Sequence, residues 1–241
     1  MAAAAPADPC PVCKGFGVVE TPDGKTAACR CRIEDRARVR LSAAEIPNRY
    51  LSCRIENYEV RPDSHPSQAR ARLAAKRFID EWPRRYGLLF VGPVGVGKTH
   101  LAVAILKQLV EECGVRGLFC DFSDLLERIQ ATFSKANSDS ADDVIAPYRD
   151  ADVLVLDELG ARRPTDWARD VLYSLVNTRY NRERVTIATS NYTDTPRRMG
   201  DETLEARVGA TVRSRLYDMC DLVEMDGRDH RAWQHGPAAR R

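Results

Sequence analysis

The segment 90–102, FVGPVGVGKTHLA, constrains the fold more than any other part of the sequence. Its residues Gly92, Gly97, Lys98 and Thr99 satisfy the pattern G-x-x-x-x-G-K-S/T of a phosphate-binding loop. An apolar run precedes the loop, and a run of good helix formers, LAVAILKQLVEE, follows it. This context predicts a strand, a glycine-rich loop and a helix whose N-terminus faces a phosphate group. The alternative is a tight glycine-rich turn that binds no ligand.

The loop predicts ATP and Mg²⁺ as cofactors. Its glycines would let backbone N–H groups point at phosphate oxygens, and Lys98 would place a positive charge near the β- and γ-phosphates. The Thr99 hydroxyl would coordinate Mg²⁺. The residues expected to contact the nucleotide are Gly92, Pro93, Val94, Gly95, Val96, Gly97, Lys98, Thr99 and His100.

Short apolar runs alternate with amphipathic segments and predict a three-layer α/β domain built on a parallel sheet. Continuous apolar runs such as LLFV and VLVL suit strands that are buried on both faces. The predicted strands are 88–91, 118–122, 153–156, 185–189 and 222–225. The predicted helices are 33–45, 67–82, 98–112, 123–135, 166–181 and 202–219, with helix starts at Ser123 and Thr165.

Polar side chains follow two of these predicted strands. Asp157 comes directly after VLVL and is placed to hold Mg²⁺ through its water shell, while Glu158 could polarise an attacking water. Two acids that only cap a strand end are the alternative. Asn191 ends the run TIATSN. If its strand lies between the strands that carry the loop and Asp157, Asn191 would lie near the γ-phosphate; otherwise it could start a turn.

Arg215 belongs to the segment RSRLYD, on the helix predicted before the last strand. If this helix packs on the far side of the sheet, Arg215 cannot reach the nucleotide of its own chain, but it could reach that of a neighbouring copy. A solvated or ion-paired surface arginine is the alternative. Arg213 could take the same role, and we prefer Arg215.

Four of the eight cysteines lie near the N-terminus in the pattern C-x-x-C-x-G-x-G followed by C-x-C. This spacing is typical of a structural, tetrahedral Zn²⁺ site, and free or redox-active thiols are the alternative. The intervening TPDGK predicts a hairpin turn, as in a zinc ribbon. The expected zinc ligands are Cys10, Cys13, Cys29 and Cys31.

The bulk properties restrict the class of protein. A chain of 241 residues can hold one core and a small appendage. Its net charge of +2 neither favours nor excludes a polyanionic partner. No apolar run approaches the roughly 18–20 residues of a membrane span, and the N-terminus lacks the features of a secretory signal. We expect a cytoplasmic protein with no membrane partner.

Taken together, GPVGVGKTHLA, LVLDELG, IATSN and the SRL segment, in this order, resemble the AAA+ ATPases of the DnaC/DnaI/IstB type. These are bacterial replicative helicase loaders and transposition helper ATPases. The segments IPNRY (46–50) and IENY (55–58) resemble the region before the ATPase core of these proteins, and DGRDHR (226–231) resembles their closing motif. The resemblance covers about residues 46–231.

The resemblance implies an ATP hydrolase with an arginine finger supplied in trans. Its catalytic set would be Lys98, Asp157, Glu158, Asn191 and Arg215. Thr99 and Asp157 would hold Mg²⁺, and Arg231 would be a nucleotide contact similar to the second sensor. Members of the wider class usually carry that sensor on a helical lid. Only about fifteen residues follow Asp226, so we expect no full lid.

The cysteine cluster favours a loader of the replicative DNA helicase, because such loaders commonly carry an N-terminal helicase-binding region and some have a zinc module there. The expected partners are a replicative DNA helicase, single-stranded DNA, and further copies of this chain in a nucleotide-dependent oligomer. DNA contacts are expected in 123–147 and 160–165, with Arg162 and Arg163 as candidates. A transposition helper ATPase and a nucleotide-gated adaptor with negligible hydrolysis are the alternatives.

These interpretations divide the chain into four parts. Residues 1–9 are expected to be a disordered start, and 10–45 a zinc-binding module with a helical connector. The ATPase domain would span 46–231, and 232–241 would be a flexible tail.

Overall fold

The computed structural model describes residues 10–133, 140–162, 165–195 and 200–230. They form a small antiparallel hairpin followed by a five-stranded parallel sheet with helices on both faces. The strands are β1 Val18–Glu20, β2 Thr26–Ala28, β3 Gly87–Val91, β4 Gly117–Asp121, β5 Val153–Leu159, β6 Val185–Ser190 and β7 Cys220–Glu224. The helices are α1 Arg30–Ala43, α2 Pro66–Asp80, α3 Lys98–Gln108, α4 Phe122–Ala131, α5 Ala141–Asp150, α6 Asp166–Asn181, α7 Leu204–Val208 and α8 Ala210–Met219.

The strand order in the main sheet is β4-β5-β6-β3-β7, and all neighbours are parallel. Strand β6 therefore lies between β3, which leads into the phosphate-binding loop, and β5, which carries Asp157. This is the strand order under which we expected Asn191 to lie near the γ-phosphate. Since the carboxyl ends of parallel strands meet at one edge of the sheet, the loop and both polar strand ends gather there.

Two apolar cores lie on opposite faces of the sheet. In β3, which is buried throughout, Leu88 and Phe90 pack in the core formed with α2 and α3. Leu89 and Val91 pack in the other core, formed with α4 to α8. The continuous apolar run LLFV is thus explained by burial on both faces. The helix that follows the phosphate-binding loop lies on one face, and the helix that carries Arg215 lies on the other.

The predicted strands and helices are present, with ends that differ by a few residues. The helix start at Thr165 is confirmed, because its hydroxyl accepts the N–H of Ala168 at 3.2 Å. The helix start at Ser123 is wrong. Helix α4 begins one residue earlier, because the carboxylate of Asp121 caps it and accepts the Ser123 N–H at 2.8 Å.

Two further differences concern helices. The predicted helix 202–219 is two helices, α7 and α8, because Gly209 has φ 86° and ends the first of them. Helix α5 was not predicted. It is only ten residues long and contains Pro147, which masks its helical pattern, although Ser140 and Asp143 form a complete capping box at its start.

The N-terminal hairpin is built around the predicted turn. Strands β1 and β2 pair in register from Val18 with Ala28 to Glu20 with Thr26. Thr21 closes the turn, donating its N–H and its hydroxyl to the carbonyl of Lys25, both at 2.8 Å. Cys29 then occupies the N-cap position of helix α1, without a side-chain hydrogen bond to the helix. The hairpin and the helix start bring the two halves of the cysteine pattern together.

Helix α1 ends on the main sheet. The N–H of Phe119 in β4 donates to Ala44 O at 2.8 Å, so the chain after α1 pairs with the edge strand. The carboxylate of Glu45 accepts the hydroxyl of Tyr148 at 2.6 Å and the guanidinium of Arg128 at 2.8 Å. The cysteine-containing segment is therefore attached to α4 and α5 through Glu45.

Candidate functional site

The phosphate-binding loop has the backbone that its glycines predict. Gly92, Gly95 and Gly97 have φ values of 144°, 80° and 91°, a region that side chains with a Cβ rarely adopt. Helix α3 begins directly after Gly97, so its first backbone N–H groups face the loop. Such a loop and helix start fit the phosphates of a nucleotide without any further charged group.

Lys98 connects the loop with the end of β6. Its Nζ donates to Gly92 O at 2.8 Å, to Pro93 O at 2.7 Å and to Asn191 Oδ1 at 2.8 Å. The amine is buried at the point where the loop and two strand ends meet. The structure thus brings Lys98 and Asn191 into contact at this edge of the sheet.

Asp157 is almost fully buried, with 1% of its surface exposed. Its carboxylate accepts the Thr99 hydroxyl at 2.9 Å and the Thr189 hydroxyl at 2.6 Å. Burial raises the pKa of Asp157 to about 6, and these two hydrogen bonds oppose the rise. A hydroxyl and a carboxylate oxygen side by side are the ligands that Mg²⁺ prefers in nucleotide sites. A divalent cation would favour the ionised carboxylate.

Glu158 lies at a strained point of the backbone. Its φ is 56°, and the pairing of β5 with β6 shifts register between Leu156 and Leu159. The Thr189 hydroxyl accepts the Glu158 N–H at 3.0 Å and holds this bulge in place. A non-glycine residue with positive φ costs stability, and such strain is concentrated at functional sites. The bulge turns Glu158 out of the strand pattern, next to the buried Asp157.

A cleft of about 420 Å³ adjoins the loop and α3. This volume lies within the roughly 300–1,000 Å³ typical of small-molecule sites. The far wall comes from the segment that the resemblance placed before the ATPase core. Residues of the wall include Tyr50, Cys53, Asn57 and Tyr58, and His100 and His230 complete the cleft.

Tyr58 holds the loop from the side of this wall. Its hydroxyl donates to Val96 O at 2.8 Å, and burial, the main cause, raises its pKa above the ordinary value. A Cβ on Gly97 would lie 2.5 Å from the Tyr58 ring, so only glycine fits beneath it. The same ring makes an edge contact with His100, whose pKa is lowered by burial.

These groups fit a nucleotide with its magnesium ion. The three positive-φ glycines and Lys98 would hold the phosphates, and the oxygens of Thr99 and Asp157 would hold the metal. Magnesium would supply charge neutralisation on the phosphates. Glu158 and Asn191 lie beside this arrangement as groups that can accept from, or orient, a water molecule.

The two arginines on α8 have different surroundings. Arg213 donates to Asp194 at 2.6 Å and is engaged in an ion pair. The guanidinium of Arg215 lies 4.8 Å from the ring centre of Tyr173 and 5.8 Å from that of Tyr180. Its Nη1 is buried and has no hydrogen-bond partner within the described part of the chain. Of the two, Arg213 is held in an ion pair, whereas Arg215 packs on aromatic rings.

The four N-terminal cysteines converge. Their Sγ atoms all lie within 4.8 Å of one another; Cys13 and Cys31 are 3.5 Å apart, and Cys10 and Cys29 are 4.0 Å apart. Four thiolates at about 2.3 Å from one zinc ion would be separated by about 3.8 Å, so the cluster fits a tetrahedral ion. The backbone N–H of Gly17, as the largest cause, lowers the pKa of Cys13, which favours the metal-binding thiolate, while the hydrogen bond with Cys13 raises the pKa of Cys31.

Some residues were missed and others lie outside the described residues. The sequence reasoning did not single out Thr189, which contacts both Asp157 and Glu158, because its only signal was that of a β-branched residue in a strand. It also missed His230, which lines the nucleotide cleft. Arg163 and Arg231 lie outside the residues that the structure describes.

The known family that fits this geometry is the IstB-like ATP binding protein, whose family model matches residues 28–238. The chain belongs to this family. A crystal structure of the DnaC helicase loader is similar to this IstB-like chain, with 34% sequence identity and a TM-score of 0.65. That match covers 75% of this chain and 100% of the other. The IstB-like chain is thus a P-loop AAA+ protein of the DnaC-like type, with a parallel five-stranded sheet.

Relatives of the IstB-like chain have different names. A replicative helicase loader DnaC of Buchnera aphidicola subsp. Schizaphis graminum is 28% identical over 152 residues, which are 63% of this chain and 60% of that protein. An insertion sequence ATP-binding protein of Sinorhizobium fredii is 33% identical over 126 residues, 52% of this chain and 41% of that protein. The match thus spans about 60% of the DnaC relative's length.

In the described ranges, none of the helices is long and apolar enough to cross a membrane.

Proposed function

We propose that this protein is an ATP-dependent loader of a replicative DNA helicase. The observation that carries the proposal is the combination of an ATP site with a four-cysteine module attached at its N-terminal side. The module leaves Val12 and Phe16 70% and 79% exposed, which gives it an apolar surface for a protein partner. Similarity to proteins named helicase loaders supports the same reading.

Zinc would hold the module together. The hairpin strands are three residues each and α1 has no buried residue, so the segment has almost no core of its own. Modules of this size are stabilised by a metal whose binding energy becomes folding energy. The Zn²⁺ site formed by Cys10, Cys13, Cys29 and Cys31 is structural in this proposal and takes no part in ATP hydrolysis.

The ATP site would hydrolyse its nucleotide with help from a second copy of the chain. Lys98 and the Mg²⁺ held by Thr99 and Asp157 would stabilise the phosphates, while Glu158 would accept a proton from the attacking water. Asn191 would orient that water. Arg215 would act on the neighbour's nucleotide, because its helix lies on the face opposite α3 and its side chain is only half-buried.

Comparing two variants on α8 tests hydrolysis in trans. Arg215→Ala should lower steady-state phosphate release and weaken its dependence on protein concentration. Arg213→Ala is the matched control. It removes a guanidinium that is paired with Asp194, so it should lower the stability of the protein more than it lowers the rate of phosphate release. Mixing Arg215→Ala with Lys98→Ala should restore some release, because each copy supplies what the other lacks. Equal rates for wild type and Arg215→Ala would exclude this mechanism.

Single-stranded DNA would bind along α4 and the turn after β5. Arg162 lies there and pairs with Glu127, close to Trp167 and Glu158 around a small cavity. Basic and aromatic side chains of this kind bind single strands in a salt-dependent manner. ATP should strengthen the binding of a fluorescent oligonucleotide. An affinity that does not change with salt would argue against it.

A transposition helper ATPase is the second candidate function. The name of the family and the similarity to an insertion sequence ATP-binding protein favour it. Both candidate functions use the same residues of the ATP site, so only the identity of the partner protein can distinguish them. The cysteine cluster favours the loader, because Cys10 and Cys13 lie before the region that matches the family. A nucleotide-gated adaptor is a third possibility, and near-zero phosphate release from both wild type and Glu158→Gln would support it.

Co-purification from lysate of the source cell, with and without ATP, distinguishes the partners. We expect the wild type to retain a hexameric helicase, and Cys13→Ser to lose it while still binding ATP. Lys98→Ala is the control for the nucleotide, and it should change the ATP dependence of retention but leave the module intact. Recovery of a transposase without a helicase would overturn the loader in favour of the transposition helper.

A further inference from the structure

The chain after β7 runs along the outside of the phosphate-binding loop; we name residues 225–230 the strap. The Met225 N–H donates to Val91 O at 2.8 Å and extends the pairing with β3 to the start of the loop. The Met225 carbonyl then passes over Gly92, where a Cβ would lie 1.9 Å from its oxygen. The first glycine of the loop is therefore required by the strap as well as by phosphate.

A second contact fixes the middle of the loop. The His230 N–H donates to Gly95 O at 3.0 Å. A Cβ on Gly95 would lie 1.9 Å from Asp229 Oδ1 and 2.7 Å from Asp229 Cα, so the strap packs directly on this glycine. Gly95 has φ 80°, and a glycine backbone is flexible because it has no Cβ. The contacts with the strap restrain the backbone conformation at this position.

The strap is itself anchored on α2. The Asp226 N–H donates to Ser67 Oγ at 2.8 Å, and the Ser67 hydroxyl lies 2.8 Å from His65 Nδ1. Gly227 packs on Gln68, whose Nε2 would be 2.4 Å from a Cβ at this position. Ser67 and Gln68 are buried, so the strap is held by a fixed part of the core.

The loop is thus held from two sides. Tyr58 contacts Val96 and Gly97 from the wall of the nucleotide cleft, and the strap contacts Gly92 and Gly95 from the outside. The strap also ends in the cleft, because His230 lines it together with His100.

We propose that the strap positions the phosphate-binding loop for the triphosphate of ATP, and that His230 forms part of the wall that contacts the nucleotide. A loop held in its binding conformation loses less entropy when the ligand binds, so affinity rises without a new contact to the ligand. This inference rests on the ATP binding that the proposed function requires. It is independent of the helicase, of DNA and of hydrolysis.

The test measures the affinity of a fluorescent ATP analogue in magnesium, using the full chain. His230→Ala and His230→Pro both remove the imidazole, but only the proline removes the N–H that donates to Gly95. We expect His230→Pro to raise Kd by about two- to tenfold more than His230→Ala, which is the effect of one lost hydrogen bond. Ser67→Ala, which frees the base of the strap, should also raise Kd.

Thr203→Ala is the matched control for Ser67→Ala. Thr203 caps α7 through its hydroxyl, outside the strap, so both variants lose a hydrogen bond at a helix start. A structural effect alone would lower the melting temperature of both and leave the temperature shift on adding the analogue unchanged. Only Ser67→Ala should also show a smaller shift.

Three results distinguish the proposals. Wild-type affinity in folded His230→Pro and Ser67→Ala would overturn the role of the strap and leave the proposed function intact. Equal affinities for His230→Ala and wild type would exclude the imidazole from the wall. A wild type that binds no analogue would overturn the ATP-dependent function, and the strap's role with it.

Discussion

Replacing Asp157 with asparagine tests the electrostatics of the proposed magnesium site. Burial raises the pKa of Asp157 from 3.8 to about 6, against the hydrogen bonds from Thr189 and Thr99. A rise of about 2.2 in pKa corresponds to about 3 kcal/mol of differential interaction. The ionised carboxylate therefore destabilises the metal-free folded protein by this order at pH 7, a cost that a bound cation would offset.

The sign of the pH dependence follows from linkage. The folded protein binds this proton more tightly than the unfolded chain does, so the free energy of unfolding rises as the pH falls through about 6. Between pH 7 and pH 5 the wild type should gain about 1.4 kcal/mol from this group. Asp157→Asn cannot gain it. We expect the variant to be more stable than wild type at pH 7, by at most about 3 kcal/mol, because the amide keeps only one acceptor oxygen.

Urea unfolding at pH 5, 6 and 7, without added magnesium or nucleotide and without a chelator, measures this difference. The contributions of the other carboxylates to the pH dependence of stability are the same in wild type and variant, so they cancel in the difference. Asp194→Asn is the control of opposite sign. Burial raises the pKa of Asp194, but hydrogen bonds from Arg213 and Tyr217 hold that pKa below its usual value, so removing this carboxylate should lower the stability of the protein at pH 7. The reasoning is refuted if Asp157→Asn is the less stable protein at pH 7 and its difference from wild type does not change toward pH 5.

Three further predictions concern single groups. Thr189→Val should lower the free energy of unfolding by about 1–3 kcal/mol, because the Glu158 N–H loses its partner; urea unfolding measures it, and a neutral result would exclude that role. Gly97→Ala should weaken binding of the ATP analogue. Adding Tyr58→Ala removes the clash with the ring but not the strain of the positive φ, so it should restore only part of the affinity; full restoration would contradict the backbone argument. Cys13→Ser should lose one bound zinc per chain by metal analysis and make the segment before residue 45 sensitive to protease, with binding of the analogue unchanged; retained zinc would place the ion elsewhere.

Features that follow from local pattern were predictable from the sequence. Continuous apolar runs gave β3 and β5, because strands buried on both faces need no polar alternation, whereas the edge strand β7 is mostly exposed and its apolar run is shorter. The loop, Asp157 and Asn191 were recognisable because each follows a strand, and parallel strands bring such ends to one edge. The cysteine spacing was equally local. The wrong start at Ser123 has a local cause too, since Asp121 two residues earlier is an equally good cap.

Features that depend on distant contacts were not predictable. Thr189 reads as one more β-branched strand residue until the sheet order places β6 beside β5. Helix α5 was hidden by Pro147 and by its short length. The segment DGRDHR was recognisable as a motif, but nothing in it indicates the contacts of the strap, which join residues 225–230 to Ser67 and to the loop, more than a hundred residues away in the chain. Backbone contacts to glycine carry no side-chain pattern that a sequence could show.

The order of the chain also explains how the two candidate sites can influence each other. Helix α1 leaves the cysteine cluster and ends at Ala44, which is paired with β4. The next segment forms the wall of the nucleotide cleft and is held by Lys107, which donates to Cys53 O at 3.1 Å, before it reaches Tyr58 on the loop. The connection from the cysteine cluster to the phosphate-binding loop is therefore short and fixed at each step. A displacement of α1 would therefore either break one of these contacts or move the wall of the cleft beside the phosphate-binding loop.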